Sequence, residues 1–320
     1  MKETLEETLE EKLKETLEEK LKETLEETRN ITFLADILYL WINGEGDIME
    51  QLLFGISGLP QGDGSRKFKY ASAIPYLKAL GLDAMELLFV RNVNVTAKNM
   101  EEILKSKEEN DFYLSAHGSH YINLNSEEKG KQNESLERIK AAAAGLISVR
   151  GRSLIFHPGY YMKAAKTEAY LTIKENLLKL PSQGIDYRLE TTGKETQFGT
   201  LEELVSLCKE VKTCKLCIDF SHIHARTNGS LKSYEDFKSI LQYISCHLGR
   251  EALDDLHIHM GGIAYGLKGE IKHLPLQESD FNYTACLQAI KDFNVRGCII
   301  AEGPLLERDA LLLKETYKSL

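Results

Sequence analysis

Residues 185–219 read IDYRLETTGKETQFGTLEELVSLCKEVKTCKLCID, in which an apolar run, a helical pattern and a second apolar run follow one another. The helical pattern covers Leu201–Val211, where apolar residues recur three or four positions apart. The centre of the second run, Lys215–Asp219, is continuously apolar, as is typical of a strand buried on both faces. Together with the first run, Ile185–Glu190, this segment predicts two parallel strands joined by a helix.

The same unit recurs in both directions, since short apolar runs separated by helical patterns appear about every 30 to 40 residues from Gln51 onward. There are eight such runs: Leu52–Ser57, Ala84–Val90, Phe112–His117, Ser153–His157, Ile185–Glu190, Lys215–Asp219, Asp255–His259 and Gly297–Glu302. The other helical patterns include Ala71–Leu80, Ala97–Lys107 and Asn133–Val149. Eight repeats of this kind predict an α/β fold, a closed (β/α)₈ TIM barrel over residues 51–320.

Potential metal ligands close or nearly close six of these runs: His117, His157, Glu190, Asp219, His257 and Glu302. In a barrel of this type the C-terminal ends of the strands form one rim, which carries the active site. Imidazoles and carboxylates without a cysteine cluster favour zinc, manganese or iron(II). The alternative is a buried ion-pair network with Arg or Lys, but few basic residues lie at these strand ends.

Two further histidines extend the predicted metal site. His222 follows Asp219 by three residues, and His273 lies in the Gly-rich segment 261–275 after the seventh run. We expect His224 and His259 to orient ligands or to lie in solvent. His247 is expected on a surface helix.

Cys214 and Cys217 have the CxxC spacing, but no second pair accompanies them at the distance of a zinc site. We therefore predict buried structural cysteines.

The N-terminal segment has a different pattern. Leucines repeat every four residues, a spacing that winds around a helix instead of following one face: Leu5, Leu9, Leu13, Leu17, Leu21 and Leu25. Lys2–Thr28 is predicted to form a solvated, charged helical extension. The alternative is a helix that binds a partner or forms oligomers. Residues 29–50 are predicted to form a linker. Residues 1–28 contain eleven Glu and five Lys and so contribute −6 to the net charge of −9. The remaining mildly acidic balance neither favours nor excludes DNA as a partner.

Several classes of function are disfavoured by what the sequence contains. Six cysteines without a secretory signal peptide favour a reducing, cytoplasmic setting. The apolar stretch Ile31–Ile42 is too short to span a bilayer and contains Asp36, so we expect no membrane association. Neither a GxxxxGK[ST] phosphate loop nor a dinucleotide fingerprint is present, so we expect no nucleotide cofactor. A monomer is expected.

Five of the segments around these ligands resemble the endonuclease IV family of zinc-dependent apurinic/apyrimidinic endonucleases in order and spacing. They are Ala116-His117 with Tyr121-Ile122-Asn123-Leu124, Phe156-His157-Pro158-Gly159, Leu189-Glu190-Thr191-Thr192-Gly193, Cys217-Ile218-Asp219 with His222, and His257-Ile258-His259. The resemblance covers residues 52–310. It implies a metal-dependent DNA repair endonuclease that hydrolyses the phosphodiester 5′ to an abasic site in double-stranded DNA during base excision repair.

The resemblance also implies two or three Zn²⁺ ions, with Mn²⁺ or Fe²⁺ as alternatives. One ion is held by His117, His157 and Glu190. A second is bridged by Glu190 and completed by Asp219, His257 and Glu302. The third is held by His222 and His273. Glu190 and Glu302 are the expected catalytic residues, the first as the bridge between ions and the second as a ligand that orients the nucleophile.

The sequence departs from this family at the third ion, where an Asp is expected two residues before His273 and Ile271 stands instead. Either the loop shifts register so that Glu270 serves, or the third site is weak, or another metal or a water completes it. Arg91, His120 and Tyr121 are candidate DNA contacts. Alternatively Arg91 pairs with Glu86 inside the barrel, and Tyr121 packs.

Two other functions remain open. Glu190, Asp219, His257 and Glu302 also resemble the single-metal quartet of sugar isomerases and epimerases of the xylose-isomerase-like superfamily. His117 and His157 separate the two enzymes, because an epimerase needs no zinc there. A DNA-binding or scaffold barrel without turnover is the non-enzymatic alternative.

Overall fold

The computed structural model describes residues 51–65, 67–182 and 184–320. The predicted charged helix over Lys2–Thr28 and the linker 29–50 lie outside the described residues. No helix in the described part of the chain is long and apolar enough to cross a lipid bilayer.

Eight parallel strands close into a barrel in the order β1-β12-β9-β8-β6-β4-β3-β2. This confirms the predicted (β/α)₈ barrel, and each strand overlaps one of the eight apolar runs. The strands are β1 (Leu52–Ser57), β2 (Ala84–Leu88), β3 (Tyr113–His117), β4 (Ser153–Phe156), β6 (Asp186–Glu190), β8 (Cys214–Asp219), β9 (Leu256–Met260) and β12 (Gly297–Ala301).

The longer helices cover the outside of the barrel and bury apolar residues in its core. The helices are α1 (Tyr70–Ala79), α2 (Met100–Glu109), α3 (Lys129–Ser148), α4 (Lys166–Leu177), α5 (Leu201–Glu210), α6 (Phe220–Arg226), α7 (Tyr234–Leu248), α8 (Glu251–Asp254), α9 (Tyr283–Asp292) and α10 (Glu307–Ser319). The short α6 begins directly after Asp219, at the rim. Local sequence sets where they begin. The Thr200 side chain, for example, accepts a hydrogen bond from the backbone N–H of Glu203 and caps α5.

Two small antiparallel sheets lie outside the barrel, in the loops at its C-terminal rim. β5 (Gly159–Tyr160) pairs with β7 (Gln197–Phe198), which ties the loop after β4 to the loop after β6. β10 (Gly262–Gly266) pairs with β11 (Gly269–Leu274) to form a hairpin after β9. We call this element the rim hairpin.

An ion-pair network closes the opposite, N-terminal end of the barrel. The Arg188 guanidinium is 1% exposed and donates to the Asp255 carboxylate at 2.9 Å, to the Asp255 carbonyl at 2.8 Å and to the Ser153 hydroxyl at 2.8 Å. Lys215 Nζ lies 2.7 Å from the same Asp255 carboxylate. Burial alone would raise the pKa of Asp255, but the charges of Arg188 and Lys215 outweigh it and lower the pKa to about 2. This network is the floor of the barrel.

Candidate metal centre

Glu190, the last residue of β6, lies at the middle of the rim and is fully buried. Its Oε2 is 2.9 Å from His117 Nε2 and 3.3 Å from His157 Nε2. Its Oε1 is 3.1 Å from His259 Nδ1 and 3.3 Å from His222 Nδ1. The two oxygens therefore face different pairs of histidines, which is the position of a bridging ligand.

The first group of ligand atoms consists of His117, His157 and Glu190, all within 4.8 Å of one another. His117 Nδ1 lies 2.9 Å from the Gly118 carbonyl and donates to it, which leaves Nε2 facing Glu190. Burial would lower the pKa of His117, but its hydrogen bond to Glu190 and the charge of that carboxylate raise the pKa to about 9. Burial lowers the pKa of His157 to about 3. The structure brings these three predicted ligands together, although β4 ends one residue before His157.

The second group consists of Glu190, Asp219, His259 and Glu302. Asp219 ends β8 and caps α6, since its Oδ1 accepts a hydrogen bond from the backbone N–H of His222 at 2.8 Å. Its other oxygen, Oδ2, is buried without a hydrogen-bond partner among the described residues. Glu302 follows the end of β12, and burial raises the pKa of its carboxyl group. These carboxylates converge from three different strands.

The structure corrects the prediction that His257 belongs to this group. Both His257 and His259 point into the barrel because side chains along β9 alternate. However, β9 continues to Met260, so that His259 lies at the rim and His257 lies one layer deeper. There His257 contacts Glu86 Oε2 at 3.1 Å and Cys298 Sγ at 3.1 Å. His259 is fully buried at the rim beside Glu190, so the expectation that it lies in solvent is wrong.

The third group consists of His222, Glu270 and His273. His222 Nδ1 donates to the Thr191 carbonyl at 3.0 Å, and its Nε2 is 3.8 Å from Glu270 Oε2. The His222 and His273 ring centroids are 5.5 Å apart. The family pattern expects an Asp at position 271 beside these two histidines. In this structure Glu270 lies beside them instead.

A β-bulge in the rim hairpin explains this placement. Tyr265 pairs with Glu270 and Ala264 pairs with Lys272, which leaves Ile271 without a partner across the hairpin. In a regular strand, residues three apart face opposite sides, but one extra residue restores Glu270 and His273 to the same side. The Ile271 side chain faces outward and is 65% exposed. The structure therefore places Glu270 on the side of the hairpin that faces His222 and His273, as the shift in register requires.

Two contacts hold the rim hairpin in place. The Glu270 backbone N–H donates to the Gly193 carbonyl at 2.9 Å. The Tyr265 hydroxyl donates to Asp280 at 2.7 Å, and the fully buried His224 ring lies 3.2 Å from the other oxygen of Asp280. His224 therefore supports the hairpin from below and does not lie in solvent.

The donor set fits a divalent cation. The three groups offer only nitrogen and oxygen atoms, as zinc, manganese and iron(II) accept. Asp219 Oδ2, in the second group, is buried without a hydrogen-bond partner among the described residues, which is costly and which a cation would relieve. His157 and His273 also each have a buried Nδ1 without a partner there. Within residues 51–65, 67–182 and 184–320, ion pairs of Glu190, Asp219 and Glu302 involve histidines and no Lys or Arg. The alternative of a buried Arg or Lys network is therefore wrong for the described residues.

The candidate DNA contacts lie at the outer edge of the rim. The exposed His120 ring is 5.5 Å from the His117 ring. Tyr121 is 67% exposed, so it does not pack into the barrel, and the Arg138 guanidinium lies 5.9 Å from its ring centroid. Arg91 is exposed as well, so the alternative pairing of Arg91 with Glu86 is excluded: the carboxylate contacts His257 and His259 instead.

Sequence reasoning missed the role of Glu86, which is fully buried in the middle of β2. Burial would raise the pKa of Glu86, but the charge of His259 and hydrogen bonds from both histidines lower it. A single Glu within the apolar strand AMELL was the available signal. Cys217, His257 and His259 form a further group below the rim. Cys214 and Cys217 are buried free thiols, which agrees with the prediction of buried structural cysteines.

Comparison with known proteins gives both a sequence family and structural neighbours. Residues 74–317 match the family model described as Xylose isomerase-like TIM barrel. A Methanocaldococcus jannaschii protein named "Uncharacterized protein MJ0133" is 42% identical over 275 residues, which are 84% of this chain and 98% of the relative.

Two solved structures share the fold. A D-tagatose 3-epimerase-like protein has a TM-score of 0.64 and 20% identity, covering 84% of this chain and 96% of its own. Endonuclease IV from Thermus thermophilus has a TM-score of 0.63 and 18% identity, covering 84% and 100%. At these identities the neighbours support the barrel and do not distinguish one activity from the other.

Proposed function

The chain belongs to the xylose isomerase-like TIM-barrel family, and on that premise we propose that it is a metal-dependent DNA repair endonuclease that hydrolyses the phosphodiester 5′ to an abasic site. One observation carries this proposal: three groups of nitrogen and oxygen donors meet around Glu190. A single-metal epimerase needs only the second group. An endonuclease would also use the first and third groups, because metal ions held there would neutralise the charge of one phosphate at several of its oxygen atoms.

Zinc is the proposed cofactor, with one ion assigned to each group. His117, His157 and Glu190 would hold the first ion, and His222, Glu270 and His273 the third. The second would be held by Glu190, Asp219, His259 and Glu302. Bound divalent ions supply charge stabilisation for phosphate oxygens and lower the pKa of bound water.

The protein's own side chains orient this site and handle protons. The ring of His117 is fixed by its bond to the Gly118 carbonyl, and that of His222 by its bond to the Thr191 carbonyl. Glu302 is the better placed carboxylate to accept a proton from an attacking water, because its side chain is 13% exposed and that of Glu190 is 0% exposed. Glu190 is proposed to set the spacing between the first two groups.

The loops at the rim supply positive charge for DNA phosphates despite the acidic average of the chain. Exposed cations follow several strands: Arg91 after β2, Lys163 after β4, and Lys268 and Lys272 on the rim hairpin. Such local charge dominates nucleic-acid affinity, which therefore depends on salt. His120, whose ring lies 5.5 Å from that of His117, and the exposed Tyr121 are the proposed contacts at the lesion. A damaged nucleotide is cheaper to displace from the helix than a paired one, which favours the abasic site.

The proposal is tested with a duplex oligonucleotide that carries one abasic analogue unable to undergo β-elimination. We expect a single cut 5′ to the lesion, lost after treatment with a strong chelator and restored by zinc. The same duplex without the lesion is the control substrate. If no metal restores a cut at the lesion, the proposal is refuted.

A sugar isomerase or epimerase is the second candidate, favoured by the second group taken alone and by the epimerase-like structural neighbour. The double variant His117→Ala, His157→Ala separates the two, because it removes the first group and spares the second. An endonuclease would lose cleavage in this variant. An epimerase would keep its turnover of a ketose substrate and would bind about one metal per chain in the wild type.

A further inference from the structure

His259 connects the rim to the layer below it. Its side chain is fully buried, and its two ring nitrogens face opposite ways. Nδ1 points to the rim, 3.1 Å from Glu190 Oε1 and 3.4 Å from Glu302 Oε1. Nε2 points down the barrel, 3.1 Å from Glu86 Oε2. Only the rim-facing nitrogen is placed to act as a ligand in the second group.

Glu86 Oε2 is the meeting point of three hydrogen bonds. Besides His259 Nε2, it lies 3.1 Å from His257 Nε2 and 3.2 Å from the Ser115 hydroxyl. An ionised carboxylate can only accept hydrogen bonds, so each of these partners must donate. His259 therefore holds a proton on Nε2. Its Nδ1 lies 3.1 Å from Glu190 Oε1 and is the nitrogen that would give up its proton to bind an ion at the rim.

The same rule fixes the protons of the residues beyond Glu86. His257 donates from Nε2, so its Nδ1 is an acceptor and takes the thiol hydrogen of Cys298, whose Sγ is 3.1 Å away. The hydrogen bonds along this chain are therefore consistent: Cys298 donates to His257, and His257 and His259 both donate to Glu86. This chain of buried groups keeps the Glu86 carboxylate from turning away from His259.

We propose that Glu86 is a positioning residue that fixes the tautomer and ring orientation of His259, so that Nδ1 is presented to the metal ion of the second group. The inference rests on the proposed function for its chemistry. Carboxylates that accept the second ring N–H of a histidine ligand orient the ring and make the ligand nitrogen more basic. Glu86 reaches His259 across 173 residues of sequence, from a different strand of the barrel.

The group Cys217, His257 and His259 offers a competing use of the same atoms, as a metal site with a thiolate ligand. That site would have to form beside Glu86, which already contacts the Nε2 atoms of both His257 and His259. Cobalt(II) distinguishes the two uses, because a thiolate ligand gives charge-transfer absorption and nitrogen or oxygen ligands do not.

The test compares Glu86→Gln with the wild type in zinc titrations against a chromophoric chelator. We expect one binding step to weaken by about 10- to 100-fold, as for other carboxylates behind histidine ligands. Nitrogen NMR of zinc-loaded ¹⁵N-histidine protein should show His259 protonated on Nε2 alone in the wild type and a mixture of tautomers in the variant. Glu203→Gln, the same chemical change at the cap of α5, should leave both readouts unchanged.

Defined results overturn the inference. Equal zinc affinity and an unchanged His259 tautomer in folded Glu86→Gln refute it, and so does a thiolate absorption band in the cobalt-loaded wild type. If Glu86→Gln does not fold, Glu86→Asp withdraws the same carboxylate by one methylene and should weaken the same step. A wild type that binds zinc but does not cut DNA refutes the endonuclease proposal and leaves this inference standing.

Discussion

Replacing Gly193 with alanine tests whether the third group depends on the close approach of two loops. A Cβ added to Gly193 would lie 2.7 Å from the Cβ of Glu270 and 3.2 Å from Cδ2 of His222. Non-bonded carbon atoms rest about 3.5–4.0 Å apart, so Glu270 must move by about 1 Å. The Cβ of Glu270 is not the flexible end of the side chain, and its backbone N–H is bonded to the Gly193 carbonyl. The hairpin itself must therefore shift.

A displacement of about 1 Å in a group that positions a reacting phosphate reduces rate by about 100-fold. We expect Gly193→Ala to bind the third zinc more weakly, to keep the other two, and to cut abasic-site DNA about 100-fold more slowly. Zinc per chain measured by atomic emission and single-turnover cleavage are the assays. A melting temperature near that of the wild type confirms that the barrel is intact.

Gly266→Ala is the matched control in the same hairpin. An added Cβ at Gly266 would meet only Ile271 Cδ1, at 3.6 Å, an ordinary contact distance. This variant should retain its zinc and its rate. If Gly193→Ala also retains both, the close packing of Glu270 against the loop after β6 does not govern the site, and the assignment of Glu270 to the third group is wrong.

Three further predictions follow from the geometry. His259→Ala should lose zinc from the second group, whereas His257→Ala should lower zinc affinity less because His257 acts through Glu86. Equal losses in chelator competition would contradict the placement of His259, and not His257, in the second group. Asp255→Asn should lower the free energy of unfolding by about 2–3 kcal/mol near pH 7, because the pKa of Asp255 is about 2 in the folded protein and about 3.9 in the unfolded chain. Thermal melts of the wild type should show this contribution above about pH 4 and its loss as the pH falls toward 2. Lys272→Ala should weaken DNA binding at low salt and reduce the salt dependence of the binding constant by about one phosphate contact. If the slope of log binding constant against log salt concentration is unchanged, Lys272 of the rim hairpin does not contact DNA.

The barrel and the composition of its rim were predictable from the sequence because each depends on local patterns. Apolar runs gave the strands, and ligand residues at their ends gave the rim. Alternation along β9 points both His257 and His259 inward, so residue type alone did not separate them. The predicted run Asp255–His259 already ended at His259, and the error lay in matching His257 instead of His259 to the ligand position of the family.

The hairpin and Glu86 show two other limits of sequence reasoning. The bulge at Ile271 depends on how two strands pair, so the sequence showed a missing Asp but not that Glu270 would take its side of the hairpin. Glu86 lies 171 residues from His257 in sequence, and only closure of the barrel brings them into contact. In both cases the missing information was the pairing of distant backbone segments.

The floor of the barrel has a consequence for the order of events at the site. Among the described residues, Arg188, Asp255 and Lys215 fill the N-terminal end with bonded charges and the strands close the sides, so the ligand groups open toward the rim. A DNA duplex bound across that opening would block the exchange of ions with solvent. If the proposed duplex substrate covers the rim, the ions must load before it binds, and a chelator added afterwards should strip the ions only as fast as DNA dissociates.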